Sequence, residues 1–192
     1  MSTPRLETER LILALPAPDQ AGQAQVFFER NRGHFAPWRP PEPAGMYTEA
    51  YWQAQIPVIA DGFALGHSAR FWIWEKAAPT RLIGTVGFSQ IFRGPFCSCV
   101  LGYQIDQECE GQGLMSEALR TAIRYMFSTQ KLHRIAANYR PANLRSGRLL
   151  ARLGFRIEGY APQYLFIDGA WRDHILTSLV NDTFRPEWLH SI

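Results

Sequence analysis

The chain has 192 residues, of which 46% are hydrophobic and 19% charged, which is enough apolar material to bury a core. We therefore expect residues 1–192 to form one domain. The formal net charge is +3, a mildly basic balance that does not require a nucleic-acid partner. Gathered on one face, the same charge would suit an anionic cofactor or an approach to the ribosome, and composition does not separate these cases.

Neither a membrane span nor a secretion signal is evident. The longest apolar runs fall short of 18 residues, and the opening MSTPRLETERLIL lacks an apolar core with a cleavage site. We therefore expect a cytoplasmic protein whose three cysteines are reduced. Cys97-x-Cys99 could contribute to a zinc site, but the usual four-ligand spacing is missing. Small core residues are the favoured interpretation, and no metal is expected.

The first half of the chain predicts a strand, two helices and three strands. The opening strand ends at residue 13, and helices are predicted over residues 18–32 and 47–60. Between them, the four prolines of residues 34–43 predict a rigid loop without a regular element. Strands follow over residues 71–75, 81–91 and 98–106.

The second half alternates helices and strands. Helical spacing of apolar residues covers 114–129, a short strand covers 133–139, and a helix over 143–153 ends at Gly154. Strands over 164–167 and 174–180 are joined by an Asp168-Gly169 turn. This mixed order predicts an α/β (α+β) domain built around one central sheet of about seven strands with about four helices.

The most informative segment is a strand that leads through a glycine-containing loop directly into an amphipathic helix. The loop carries Gly111 and Gly113, and the helix begins at Leu114. The first-turn N–H groups of a helix lack intrahelical acceptors, and glycine lets a ligand approach the backbone, so this junction suits phosphate oxygens. It matches neither the Walker A pattern nor the dinucleotide fingerprint. Taken alone, it is equally compatible with a plain strand-to-helix turn.

A second segment places Asn143 and Ser146 at the start of the next helix, three residues apart and therefore on the same side of one turn. From the residues alone, Asn143 is a helix N-cap and Ser146 a polar first-turn residue.

Together the two segments resemble the GNAT acetyltransferases. The family pattern, Gln/Arg-x-x-Gly-x-Gly/Ala, corresponds here to residues 110–115, with Glu110 and Met115 as departures. Further likenesses to the RimJ/RimL branch of ribosomal-protein N-terminal acetyltransferases extend over nearly the whole chain: Glu-Thr-Glu-Arg-Leu at 7–11, Pro-Trp-Arg-Pro at 37–40, and Asp-Gly-x-Trp-Arg-Asp-His at 168–174. Residues 164–174 are most similar to the RimJ members.

The resemblance implies acetyl-CoA as the acetyl donor, bound against a splayed pair of strands. It assigns donor binding to Tyr103, Gln104, Ile105, Glu110, Gly111, Gln112, Gly113, Leu114, Met115, Ser116, Asn143, Arg145 and Arg148. A solvated helix face would explain the two arginines equally well. For acceptor binding we expect Trp38, Arg39 and Tyr164, although packing of the loop would also account for the tryptophan.

The resemblance also suggests catalytic residues. Many members have a general-acid Tyr seven residues after the Asn, where this chain has Leu150, whereas RimL-like members have a Ser three residues after it, which Ser146 matches. The Glu thought to be the RimL-like base falls on Leu165 here, so Glu158 is the nearest acidic candidate. Other base candidates are Asp168, Asp173, Tyr103 and Tyr164, while His133 and His174 fit structural roles better.

The expected reaction is acetyl transfer to a protein N-terminal amine, an Ala or Ser of a ribosomal protein. One alternative keeps the fold and acetylates a small-molecule amine such as an antibiotic, polyamine or amino acid. Another is a non-catalytic ribosome- or RNA-associated module, for which the chain shows no stripe of aromatic and basic residues. No direct nucleic-acid readout is expected, and the sequence carries no signal for an oligomeric state.

Overall fold

The computed structural model describes residues 3–190, which form one mixed sheet of eight strands with helices on both faces. The strand order is β1-β2-β3-β4-β5-β6-β8-β7, and the single parallel contact within this sheet joins β5 to β6. The predicted α/β (α+β) class is confirmed.

The element boundaries lie close to those expected from the sequence. The strands are β1 Arg5–Glu7, β2 Leu11–Ala14, β3 Ala69–Glu75, β4 Ala78–Phe92, β5 Ser98–Ile105, β6 Arg134–Tyr139, β7 Arg156–Ile167 and β8 Ala170–Val180. The helices are α1 Ala21–Arg30, α2 Arg32–Phe35, α3 Glu49–Ala64, α4 Leu114–Ser128 and α5 Leu144–Arg152. In residues 3–190 no helix is long and apolar enough to cross a membrane.

Three differences from the sequence expectation have physical causes. The opening strand is a hairpin, because residues 8–10 turn the chain between β1 and β2. The helix predicted over 18–32 breaks at Asn31, whose buried amide donates to the Phe27 carbonyl oxygen at 2.9 Å. Strand β7 begins eight residues earlier than expected, because it is exposed on both faces and so lacks apolar alternation.

The proline-rich loop is partly helical. Residues Arg32–Phe35 form α2 and Ala36–Trp38 form a 3-10 turn, with Pro37 in its first positions, where a missing N–H costs nothing. The expectation that the prolines exclude every regular element was therefore wrong for this part of the loop. Arg140 fastens the loop to the end of β6 by donating to the Pro37 carbonyl oxygen.

Each face of the sheet carries its own hydrophobic cluster. On β3, Phe71 and Ile73 belong to the larger cluster, into which α4 packs, whereas Trp72 and Trp74 belong to the second, under α1 and α3. This division follows from the alternation of side chains along a strand. Cys97, Cys99 and Cys109 are free thiols buried in the larger cluster, as expected of small core residues.

The decisive feature of the sheet is that β5 and β6 separate. Their parallel pairing runs from Ser98 opposite Arg134 to Val100 opposite Ala136, although β5 continues to Ile105 and β6 to Tyr139. On its other side, β5 stays paired with β4 as far as Ile105 opposite Gly84. The edge of residues 101–105 that faces β6 is therefore open, which confirms the splayed strand pair.

Gly84 is required for the close approach of β4 and β5. A Cβ added there would lie 2.8 Å from the Gln104 carbonyl oxygen and 3.2 Å from Ile73 Cδ1, so the backbone of β5 would have to move. At Gly87 on the same strand, an added Cβ would meet only Arg70 side-chain atoms, at 3.7 Å and beyond, and the Gly102 carbonyl oxygen at 3.9 Å.

We expect Gly84→Ala to lower the free energy of unfolding by about 1–3 kcal/mol, the usual cost of overpacking. The matched control Gly87→Ala should change it by less than about 0.5 kcal/mol, as an ordinary tolerated substitution does. Urea denaturation of both variants measures the difference. Equal free energies of unfolding for the two variants would mean that the close approach of β4 and β5 does not require a glycine at position 84.

Candidate active site

A cavity of about 1690 Å3 opens where β5 and β6 separate. Its walls come from the α1–α2 segment and the following loop, from β5 and the start of α4, and from β6 with the start of α5. The splay therefore places residues from distant parts of the chain around one space.

The loop before α4 presents bare backbone toward this cavity. Gly113 is the N-cap of α4 in a left-handed conformation (φ 77°), and no side chain caps the helix. Gly111 also has a positive φ of 75°. Because the first N–H groups of a helix lack internal acceptors and carry its positive dipole end, this terminus is suited to anionic oxygens.

A network from the β1–β2 turn holds this loop in place. Glu117, in the first turn of α4, accepts hydrogen bonds from Thr8 Oγ1 at 2.5 Å and from the Arg10 N–H at 3.0 Å, and Arg10 Nη2 lies 2.6 Å from its carboxylate. Arg10 Nη1 also donates to the Gln112 carbonyl oxygen at 3.1 Å. Burial opposes ionisation of Glu117, but these donors outweigh it and lower its pKa. The sequence motif at residues 7–11 thus holds the loop before α4, although the two segments are far apart in the chain.

Glu110, the acidic departure from the family pattern, is held on two sides. His34 Nε2 lies 3.2 Å from one carboxylate oxygen, and Arg145 binds the other. The carboxylate thereby links α2, the loop before α4 and the start of α5. All three side chains line the cavity.

Two hydroxyl groups meet inside the cavity. Tyr103 Oη and Ser146 Oγ lie 2.6 Å apart, and either can be the donor. Burial raises the pKa of Tyr103 to about 12, so its phenol stays protonated at neutral pH. Asn143 caps α5 by accepting from the Ser146 N–H at 3.1 Å, which aims the serine side chain.

Most of the predicted site residues line the cavity. They are Trp38, Arg39, Tyr103, Gln104, Ile105, Glu110, Gly111, Gly113, Leu114, Met115, Ser116, Asn143, Arg145, Ser146 and Arg148. Three others lie outside its walls. Gln112 turns its side chain toward the Glu108 carbonyl oxygen at 2.9 Å. Tyr164 accepts from Asn138 at 3.2 Å and packs against His174, so it contacts two residues that line the cavity.

Glu158 is the third residue outside the cavity, and its position does not support the predicted role as general base. It pairs with Arg134 and accepts from Ser178 Oγ at 2.8 Å. Arg134 begins β6 at the paired end of the sheet, and the splayed end at Tyr139 lies five residues further, roughly 16 Å along a strand. The Arg134 and Ser178 hydrogen bonds lower the pKa of Glu158, which further weakens it as a base.

His174, for which the sequence analysis favoured a structural role, lines the cavity. The residue is only 3% exposed, and Nδ1 lies 3.0 Å from the Arg172 carbonyl oxygen. A carbonyl only accepts, so this contact places the proton of a neutral ring on Nδ1 and leaves a lone pair on Nε2. The Asp-His pair at 173–174 was visible in the sequence, but its approach to the cavity depends on the β6–β8 register.

Comparison with known proteins assigns the family. Residues 10–156 match the acetyltransferase (GNAT) domain family. The chain belongs to the GNAT acetyltransferases. It is 44% identical over 184 residues, 96% of this chain and 92% of the relative, to the [ribosomal protein uS5]-alanine N-acetyltransferase of Escherichia coli (strain K12).

Solved structures support the same assignment. The ribosomal-protein-S5-alanine acetyltransferase from Vibrio fischeri superposes with a TM-score of 0.91 and 38% identity, covering 95% of this chain and all of that one. RimJ of Mycobacterium smegmatis in complex with CoA-disulfide gives a TM-score of 0.85 and 25% identity over 98% and 91% of the two chains. The protein is thus an acetyltransferase, and acetyl-CoA is the acetyl donor.

The residues of this acetyltransferase fit such a donor. The uncapped α4 terminus suits a pyrophosphate, and the open edge of β5 suits an extended amide-containing arm. Within residues 3–190, no cluster of three or more His, Cys, Asp or Glu side chains is arranged for a metal ion.

Proposed function

We propose that the protein transfers the acetyl group of acetyl-CoA to the N-terminal amine of a protein, with the N-terminal alanine of a ribosomal protein as the acceptor. The observation that carries the proposal is the open edge of β5 beside the uncapped start of α4 in one cavity. The 44% identical relative is named for alanine acetylation of ribosomal protein uS5. Such an acceptor implies a cytoplasmic enzyme that meets the protein on or near the ribosome.

Donor binding is assigned to backbone groups more than to side chains. The N–H groups of residues 111–116 bind the pyrophosphate, with Arg10 and Glu117 keeping the loop in position. Residues 103–105 of β5 bind the pantetheine arm as an added strand would pair with a sheet edge. Arg145 and Arg148 also line the cavity, where Arg145 is paired with Glu110 and Arg148 adds positive charge.

The Tyr103–Ser146 hydroxyl pair is assigned to the departing sulfur. In the reaction the amine nitrogen forms a bond to the acetyl carbon, the carbon–sulfur bond breaks, and the sulfur leaves with the electron pair. Ser146 donates a hydrogen bond to that sulfur, and Tyr103 donates in turn to Ser146. Because both hydroxyls are poor acids, they stabilise the charge that develops on the sulfur by hydrogen bonding, and the thiolate takes its proton from solvent.

His174 takes the proton that the attacking amine loses. Its Nδ1–H is held by the Arg172 carbonyl oxygen, so Nε2 is the basic atom, and the ring lines the cavity. An α-amine has a pKa near 8, so much of it is already neutral at cellular pH and a weak base suffices.

Acceptor selectivity is the first test. The assay follows the release of CoA from acetyl-CoA in the presence of each acceptor. We expect kcat/KM to be at least tenfold higher for Ala-starting peptides than for Met-starting peptides, polyamines or aminoglycosides, because the proposed site holds a peptide N-terminus. The kcat/KM for Ser-starting peptides should lie between that for Ala-starting peptides and that for the other acceptors. Turnover restricted to small amines would overturn the protein acceptor and keep the fold, and an absence of acetyl-CoA binding would overturn the whole assignment.

The hydroxyl pair predicts non-additive variants. Ser146→Ala and Tyr103→Phe should each lower kcat roughly 10- to 100-fold, and the double variant should lose less than the product of the two, since both act through one hydrogen bond. Ser178→Ala, whose hydroxyl binds Glu158 outside the cavity, serves as the control. Independent, multiplicative losses would show that the two hydroxyls do not work as a pair.

The base assignment is tested by a matched pair of amide variants. His174→Gln should lower kcat/KM at pH 7 by roughly 10²–10⁴-fold, and the deficit should shrink as the pH rises above 8, where the amine loses its proton unaided. Glu158→Gln should keep kcat/KM within about threefold, since a group outside the site falls among ordinary surface changes. Thermal unfolding checks that both variants fold. The reverse pattern would restore Glu158 as the base.

A further inference from the structure

Arg39 lines the cavity, and no carboxylate among the described residues forms an ion pair with it. Its Nη2 donates to Met46 Sδ at 3.2 Å, and its Cζ lies 5.0 Å from the ring centroid of Phe28 and 6.0 Å from that of Phe35. Its Nη1 is buried and has no hydrogen-bond partner within residues 3–190. A buried donor without a hydrogen-bond partner destabilises the folded state. The presence of such a donor in the cavity therefore points to a ligand that accepts its hydrogen bond.

The charge of Arg39 is only partly compensated: burial outweighs the through-space attraction of Glu42, which raises its pKa. No carboxylate in residues 3–190 lies within 4 Å of its nitrogens, and the nearby Glu42 is engaged by the Tyr47 hydroxyl. Burial lowers the pKa of Arg39, which is the electrostatic sign of a charge removed from water. A neutral carbonyl group would satisfy Nη1 but leave the charge unpaired, whereas a carboxylate would satisfy both.

The position of Arg39 separates it from the donor phosphates. Its neighbours Phe28, Phe35 and Met46 belong to the cluster under α1 and α3, whereas Leu114 and Met115 of α4 belong to the cluster on the other face of the sheet. Arg39 therefore packs on the face of the sheet opposite to the one that α4 covers.

A second unpaired polar group lies on the same face. Gln104 is opposite Thr85, which is opposite Trp72, and directly opposed residues share a face of the sheet. Trp72 belongs to the cluster around Arg39, and Gln104 Oε1 is buried without a partner. This part of the cavity thus offers an unpaired acceptor, Gln104 Oε1, and an unpaired cationic donor, Arg39 Nη1. A peptide could satisfy the first with an N–H group and the second with an acidic side chain.

We propose that Arg39 forms an anion subsite that selects acceptor peptides with an Asp or Glu at the second residue. The carboxylate binds the Nη1 side of the guanidinium, while the aromatic rings of Phe28 and Phe35 fix the orientation of Arg39. The inference rests on the proposed N-terminal acetylation and adds its sequence preference.

The test compares kcat/KM for C-terminally amidated peptides beginning Ala-Glu, Ala-Gln and Ala-Lys. With amidated peptides, only the side chain supplies a carboxylate. The intact protein should prefer Ala-Glu over Ala-Gln by roughly 10- to 100-fold, the range for a hydrogen bond to a charged group. Arg39→Met should bring this ratio close to one, mainly by loss on Ala-Glu, and leave the KM for acetyl-CoA within about twofold.

Two further variants keep the test independent of folding. Arg39→Lys retains the charge without the planar fork and should keep part of the preference. Arg70→Met removes another arginine that lines the cavity and should leave the Ala-Glu to Ala-Gln ratio unchanged. Thermal unfolding establishes that each variant is folded.

The contrary outcomes are distinct. Equal turnover of Ala-Glu and Ala-Gln by the intact protein would overturn the subsite and leave N-terminal acetylation standing. A rise in the KM for acetyl-CoA in Arg39→Met, without a change in peptide preference, would assign Arg39 to the donor instead. Faster turnover of free alanine or aspartate than of any peptide would mean that the carboxylate is that of an amino acid, which would overturn both the subsite and the protein acceptor.

Discussion

The separation of β5 from β6 is the constraint on which the rest of the structure depends. A buried backbone N–H or C=O needs a partner, and a sheet normally supplies it from the next strand. Here the pairing stops at Val100 opposite Ala136, while both strands continue. The open edge of β5 thus has backbone groups to offer a ligand, and the space between the strands becomes the cavity. Continuous pairing would give a more regular sheet and no place for an extended substrate.

Long-range contacts keep this opening in a defined shape. The β1–β2 turn reaches Glu117 and the Gln112 carbonyl oxygen, roughly a hundred positions later in the chain, and fixes the loop before α4. On the other side, Arg140 at the end of β6 binds the Pro37 carbonyl oxygen and its guanidinium lies 5.4 Å from the Trp38 ring. The walls of the cavity are thus joined by contacts within the chain itself, which keep its residues in defined positions.

Charge is distributed unevenly over the two sides of the sheet. Near the loop before α4, acidic and basic side chains are matched: Glu110 lies between His34 and Arg145, and Glu117 is paired with Arg10. On the opposite face, Arg39 is partly buried beside aromatic rings, and no carboxylate of residues 3–190 contacts it. Because unpaired buried charge destabilises the fold, natural proteins retain it mainly where a ligand compensates it. This contrast favours Arg39, more than the matched pairs, as a determinant of specificity.

The sequence by itself determined the fold class, most element boundaries and the segments around the cavity. Local signals sufficed for these: apolar periodicity over α4, glycines at positive φ before it, and the Asn143 cap of α5. Only the tertiary structure decided which polar side chains meet. Glu158 and His174 lie on adjacent strands, but the register of β6, β7 and β8 carries one to the paired end and the other to the cavity. Register depends on contacts between distant segments, and therefore no local pattern of residues encodes it.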